Sequence, residues 1–197
     1  MKNGLGIGHK STVSARPFLF LSDTITSMKI LRLTSEDYEQ FYSLRLESLE
    51  ACPEEFATDA EAWKNASRET INKLLVMSEE RMDAPIFGAW EDDSLVGLVG
   101  IKRDLRPSVR HKSTLWGLYV RPAHRKQGIG HSLLKEVVTV LKEEPDLRLI
   151  RAVVTITSKD ALALLKKQGF KIYGREPDAK QLDSKFYDQV YLWLPLK

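Results

Sequence analysis

Arg125-Lys126-Gln127-Gly128-Ile129-Gly130 sets two cations and two glycines directly before a run in which Ile129, Leu133, Leu134, Val137, Val138 and Leu141 recur at helical spacing. A helix start exposes N–H groups that have no partner within the helix, and with the helix dipole they attract anions. Glycine lacks a Cβ, so the backbone at Gly128 and Gly130 can curl around an anion and approach it closely. Arg121, Arg125 and Lys126 add cationic heads, and a guanidinium can hold two phosphate oxygens at once. This combination suits a diphosphate.

Two better-known phosphate loops do not fit. A dinucleotide fingerprint needs a third glycine, but Gly128-Ile129-Gly130-His131-Ser132-Leu133 ends in leucine. A Walker loop needs Gly-Lys-Ser/Thr, and none follows Gly130. Near the start, Gly4-Leu5-Gly6-Ile7-Gly8-His9-Lys10-Ser11 comes close, but His9 stands where glycine is required and no strand precedes it. No His/Cys/Asp/Glu spacing suggests a metal site. His124 and His131 flank the loop, where a solvent-exposed role is the commoner one. Cys52 stands alone, which excludes an internal disulfide and fits a reducing compartment.

The elements that must position the loop can be read from the pattern. Met28-Lys29-Ile30-Leu31-Arg32-Leu33 is a β-leaning run, and Thr34 with Asp37 forms a capping box for a helix up to Ala51, stopped by Pro53. A second helix runs from about Arg68 to Glu80. Strands follow over Pro85–Trp90 and Leu95–Lys102, around the turn Glu91-Asp92-Asp93-Ser94, and then over Thr114–Val120. The glycine loop and its amphipathic helix lead to a buried strand over Leu149–Ile156 and a short helix over Lys159–Gln168, closed by Gly169. Phe170–Gly174 and Tyr187–Leu194 are the final strands. Strands interleaved with helices, with hairpins at front and back, make an α/β domain around one mixed sheet.

The 197 residues suit one such domain, with 43% hydrophobic and 29% charged residues, an ordinary globular balance. No apolar run approaches the roughly 20 residues that span a bilayer. A formal charge of +3 is too small to indicate nucleic acid. Residues 1–27 read as a loosely structured extension whose short apolar run, Phe18–Leu21, is no export signal. The domain is expected over 28–197, in the cytoplasm.

Arg125-x-x-Gly128-x-Gly130, after a strand ending in Val120-x-Pro122, resembles the acetyl-CoA pyrophosphate loop of the GNAT superfamily of N-acetyltransferases. Trp116–Val120 is similar to that family's fourth strand, Ala161 and Gly169-Phe170 to a later family pattern, and Phe186–Leu194 to its last strand. The resemblance implies a GNAT-like acyltransferase fold, acetyl-CoA as acyl donor with no metal, and direct transfer of the acetyl group to a primary amine. It places Arg125, Lys126, Gln127, Gly128, Ile129, Gly130 and His131 along the diphosphate, Leu118 and Val120 on the pantetheine, and Ser158 at a further cofactor position. A backbone N–H near Tyr119 or Val120 would stabilise the developing oxyanion.

Two departures touch the chemistry. Ser158 stands where the family commonly has asparagine, and Leu165 where it commonly has a tyrosine that protonates the leaving thiolate. Tyr119, Tyr173 or water would take over that task. A thiol pKa near about 8.5 makes thiolate a fair leaving group, so the loss is tolerable. The base is expected among Glu47, Glu50, Glu54 and Glu55, with Glu54 foremost, around the first helix and its following loop; a solvated helix face is the plainer reading of these carboxylates. The acceptor is expected to be a small-molecule or protein amine, without membrane or nucleic acid, and a homodimer is compatible with the fold. The rival function is an acyl-CoA-binding sensor on the same fold.

Overall fold

A computed structural model describes residues 28–197; the expected extension over 1–27 lies outside the described residues. Strand β1 (Met28–Arg32) leads through a 3-10 turn into α1 (Tyr38–Ala51), and Thr34 N–H donates to Asp37 Oδ2 at 2.8 Å as the capping box requires. Two further helices follow, α2 (Ala60–Asn65) and α3 (Arg68–Glu80). The apolar pattern of the sequence does not indicate α2. Its start is made by Asp59, whose carboxylate accepts from Ala62 N–H at 2.6 Å, and with Trp63 alone buried it is too short to show an apolar period.

Strands β2 (Ile86–Glu91) and β3 (Ser94–Arg103) form a hairpin through Asp92, which adopts φ +51°. They are followed by β4 (Lys112–Val120), α4 (Ile129–Lys142), β5 (Leu149–Thr155) and α5 (Lys159–Lys167). The chain closes with a long hairpin, β6 (Lys171–Leu182) and β7 (Lys185–Pro195). Strand β6 runs eight residues beyond the expected end at Gly174, because its outer half is largely exposed and carries no apolar alternation.

The seven strands make one sheet in the order β1-β2-β3-β4-β5-β7-β6. Every neighbouring pair is antiparallel except β4 and β5, which run parallel and pair only from Lys112–Thr114 to Leu149–Arg151. Beyond Thr114 the two strands part, and the sheet forks. On one face, α4 and α5 cover a core that includes Val99, Leu133, Val137, Ile150 and Leu165. On the other, α1, α2 and α3 cover a second core built on Phe41, Leu44, Ile71, Leu75 and Leu98. No helix among the described residues is long and apolar enough to cross a membrane.

A bulge in β4 sets which side chains face which helices. Leu98 pairs with Tyr119 and Gly100 with Trp116, so two steps on β3 oppose three on β4. Gly117 absorbs the extra residue at φ +67°, a conformation other residues enter only with strain. As a result Leu115 and Leu118 share the α4 face, while Trp116 and Tyr119 share the α1 face. Strict alternation would have separated each of these pairs.

Candidate active site at the fork of the sheet

The fork opens into a cavity of about 740 Å3. Strand β4 supplies Trp116, Gly117 and Leu118 to its wall, and β5 supplies Ala152, Val153 and Val154. Ser158, Ala161 and Leu165 reach it from the α5 face, and Arg45, Phe56, Trp63 and Leu74 from the α1–α3 face. The cavity therefore passes between the two layers, at the place where the sheet has no hydrogen bonds to close it.

Beside the fork, the loop after β4 carries Arg125-Lys126-Gln127-Gly128-Ile129-Gly130. Gly128 is the N-cap of α4 at φ +86°, and a Cβ there would meet nothing within 4 Å. Open space in front of a left-handed glycine is what a backbone anion cradle requires. The first bond of the helix runs from Ser132 N–H to the Gly128 carbonyl at 3.0 Å, so the preceding N–H groups have no helical acceptor. Lys126 holds φ +63°, and its Nζ donates to Asp160 Oδ1 on α5 at 2.8 Å in an exposed pair. Arg125 Nε donates to the Val120 carbonyl at 2.9 Å and lays its guanidinium over the Tyr119 ring. Gln127 Nε2 donates to the Ala123 carbonyl, and Gln168 Nε2 donates to His131 Nδ1 at 2.6 Å.

At Gly130 packing supplies a reason for glycine of its own. A Cβ there would lie 2.8 Å from Leu164 Cδ2, so Gly130 lets α4 pack closely against α5. Ile129 is buried in the same core, and Val120 packs against it. Ser158 is 6% exposed at the N-cap of α5, and its Oγ has no hydrogen-bond partner although it lines the cavity. A buried hydroxyl without a partner is costly and is satisfied when a ligand supplies one.

The four glutamates separate clearly. Glu47 is engaged: Tyr119 OH donates to its Oε1 at 3.1 Å, and Arg121 Nε to its Oε2 at 3.0 Å. Glu50 pairs with Lys64 at 2.6 Å on the surface. Glu54 offers its backbone carbonyl to Thr155 Oγ1 at 2.8 Å, tying the Pro53–Glu55 turn to the end of β5. Of the four glutamates, Glu55 is the one among the residues that line the cavity. Lys180, from β6, donates to the Pro53 carbonyl at 2.5 Å and also to the Phe56 carbonyl, so the turn carrying Glu55 is held from both sides.

The tyrosines fall in different places. Tyr119 is buried, and burial, with Glu47 beside it, pushes its hydroxyl up to about 12. Tyr173 is 57% exposed on β6, with its ring 6.1 Å from that of Tyr191, and does not reach the cavity wall. Tyr191, on β7, does line the cavity, and its OH donates to Glu176. Only its place opposite Val153 of β5 brings it there, which spacing along the chain could not reveal. Leu165 is 1% exposed and completes the apolar wall. Among the described residues no group of three or more His, Cys, Asp or Glu could hold a metal ion.

A sequence model of the acetyltransferase (GNAT) family matches residues 38–170, from the start of α1 to the end of α5 and its closing turn. The spermidine N(1)-acetyltransferase of Thermoplasma acidophilum is 27% identical over 153 residues, covering 74% of this chain and 89% of its own. Among solved structures, a GNAT-family acetyltransferase from Streptococcus pneumoniae superposes with a TM-score of 0.79 at 21% identity, over 87% of this chain and all of the other. A putative acetyltransferase from Salmonella typhimurium, solved with its cofactor acetyl-CoA, superposes at 0.73 with 14% identity, over 86% of this chain and 94% of its own.

Proposed function

The chain belongs to the acetyltransferase (GNAT) family, and from that premise we propose that it transfers an acetyl group from acetyl-CoA directly to a primary amine held in the forked cavity. The fork itself carries the proposal. A cavity that joins the α5 face to the α1–α3 face lets donor and acceptor approach from opposite sides of one sheet, with the reacting atoms between β4 and β5.

The residues present fit acetyl-CoA. Gly128 leaves open space at a helix start, Lys126 and Arg125 stand beside it, and the partnerless Ser158 Oγ faces the cavity. Acetyl-CoA, when bound, supplies the acetyl thioester. Parted from β5, the Leu118 backbone on the cavity wall is available to an extended ligand chain beside the bulge at Gly117, whereas the Val120 carbonyl is already taken by Arg125 Nε.

In this reading Glu55 attracts the acceptor's ammonium and takes one proton from it before attack; the freed amine then bonds the acetyl carbon, the carbon–sulfur bond breaks, and the nitrogen's second proton leaves to water. In this reading Glu54 positions the turn through its carbonyl, and Glu55 beside it acts. Tyr119 serves structure, because its hydroxyl is buried and committed to Glu47. The thiolate, with a parent thiol near about 8.5, can take its proton from water.

The test is thiol release from acetyl-CoA against a panel of amines, with products identified by mass spectrometry. Acetylated amine and free thiol in equal amounts are expected. Acetyl-CoA binding without any acetylated product across the panel would overturn catalysis in favour of sensing.

A further inference from the structure

Arg45 is a buried cation with no acid beside it. It sits on α1 at 5% exposure and lines the cavity. Its guanidinium carbon stands 4.4 Å above the centre of the Phe56 ring and 5.8 Å from that of Trp116. Nη1 donates to Ser48 Oγ at 3.3 Å, and a Cβ at Gly117 would lie 3.7 Å from it, so the head reaches the bulge of β4. Among the described residues no carboxylate forms an ion pair with Arg45, whereas Arg103, Arg121 and Arg175 each have one. Burial alone pulls it down to about 10, which still leaves it charged at neutral pH.

Such a residue is expensive. Burying an unpaired charge costs free energy that a methionine or leucine filling the same space between α1 and the aromatic rings would not. An incoming anion removes the cost. The guanidinium fork suits a carboxylate bidentately, and the wall around it, with Phe56, Trp63, Leu74 and Trp116, suits an apolar or aromatic body. The other charged residues on the wall are Glu55 and Lys102.

We propose that the acceptor is an apolar or aromatic amino acid, its carboxylate held by Arg45 and its ammonium facing Glu55. The proposal rests on the transfer reading given above and narrows its acceptor. It turns away from polyamines: a second cation near Arg45 would be repelled in a setting where water screens poorly.

The experiment compares L-phenylalanine and L-leucine with phenethylamine and isoamylamine, their decarboxylated counterparts, and with spermidine. Thiol release is followed for the parent, Arg45→Met and Arg45→Lys. In the parent, kcat/KM should favour each amino acid over its counterpart by roughly tenfold or more, the weight of one charge-assisted contact. Arg45→Met should lower kcat/KM for the amino acids by roughly 100-fold through KM while leaving the decarboxylated amines within about threefold. Arg45→Lys should fall between, and it stands in if Arg45→Met folds poorly. Equal turnover of amino acid and amine by the parent, or an equal fall for both in the variant, overturns the proposal. Calorimetry with coenzyme A present reads the site without turnover. Phenylalanine binding to the parent but not to Arg45→Met, with no thiol released, sinks the transfer reading and leaves the anion site standing. Ready acetylation of amines with no advantage for a carboxylate does the reverse.

Discussion

On the α5 face of the fork the groups proposed to meet the ligand are mostly backbone: the N–H groups before Ser132, the left-handed Gly128 and the parted edge of β4. On the α1–α3 face they are side chains, with Arg45, Phe56, Trp63 and Glu55 brought from α1, its following turn and α2. Backbone recognition depends on a short contiguous stretch taking one conformation, which glycines and a helix start encode locally. Side-chain recognition depends on distant elements meeting, and each position can change without disturbing the frame. In the proposed transfer, the first half would hold the donor and the second would select the acceptor.

The contrast is tested most severely at Glu55. Glu55→Gln keeps the size and removes the carboxylate, and turnover should fall roughly 100-fold, as expected of a lost base. Acetyl-CoA affinity should stay within about twofold. Glu50→Gln, on an exposed surface pair, should leave both nearly unchanged. If Glu55→Gln turns over like the parent, the acceptor half has been assigned to the wrong carboxylate.

Gly128 and Gly130 sharpen the comparison from the donor side. Gly128→Val should weaken acetyl-CoA on the order of 100-fold, through the loss of about two hydrogen bonds to a charged group, and also carry about 1–2 kcal/mol of left-handed strain. Gly130→Val should act first on stability, because its Cβ meets Leu164, at a cost of about 1–3 kcal/mol. Pairing it with Leu164→Ala should recover part of that loss. The comparison requires the two glycines to differ in this way; identical melting temperatures and affinities for the two single variants would erase it.

A smaller effect is expected at Tyr119. Its hydroxyl titrates higher in the folded chain than in the unfolded one, so the folded state holds the proton more strongly. The stability this adds is fully present below about 10, the unfolded value, and is lost as pH rises from there toward about 12. Denaturant melts across that window should fall more steeply for the parent than for Tyr119→Phe. Turnover near neutral pH should change little, since the hydroxyl faces Glu47. A large loss of turnover in Tyr119→Phe with intact folding would return the tyrosine to the chemistry.

The smallest effect belongs to Leu165. Leu165→Met keeps volume and apolar character on a wall that is 1% exposed, so kcat should stay within about twofold. A marked fall would mean that this wall does more than pack.

The sequence by itself determined the frame: the helix start at Ile129, the strand before it, the glycines between and the family they resemble. Those signals are local, with the period of the apolar residues and the chemistry of the loop contained in adjacent positions. It also supplied the four glutamates as a group. Only the tertiary structure sets Glu55 alone of the four on the cavity wall, because Lys180 of β6 and Thr155 of β5 hold the turn that carries it. The same is true of Arg45, whose place on an ordinary helix shows no charge pattern. Its meaning appears only where Phe56, Trp116 and the bulge at Gly117 enclose it. Alternation along β4 could not disclose that bulge, since the extra residue is visible only against the register of β3. Contacts between residues far apart in the chain are set by packing, which local pattern does not carry.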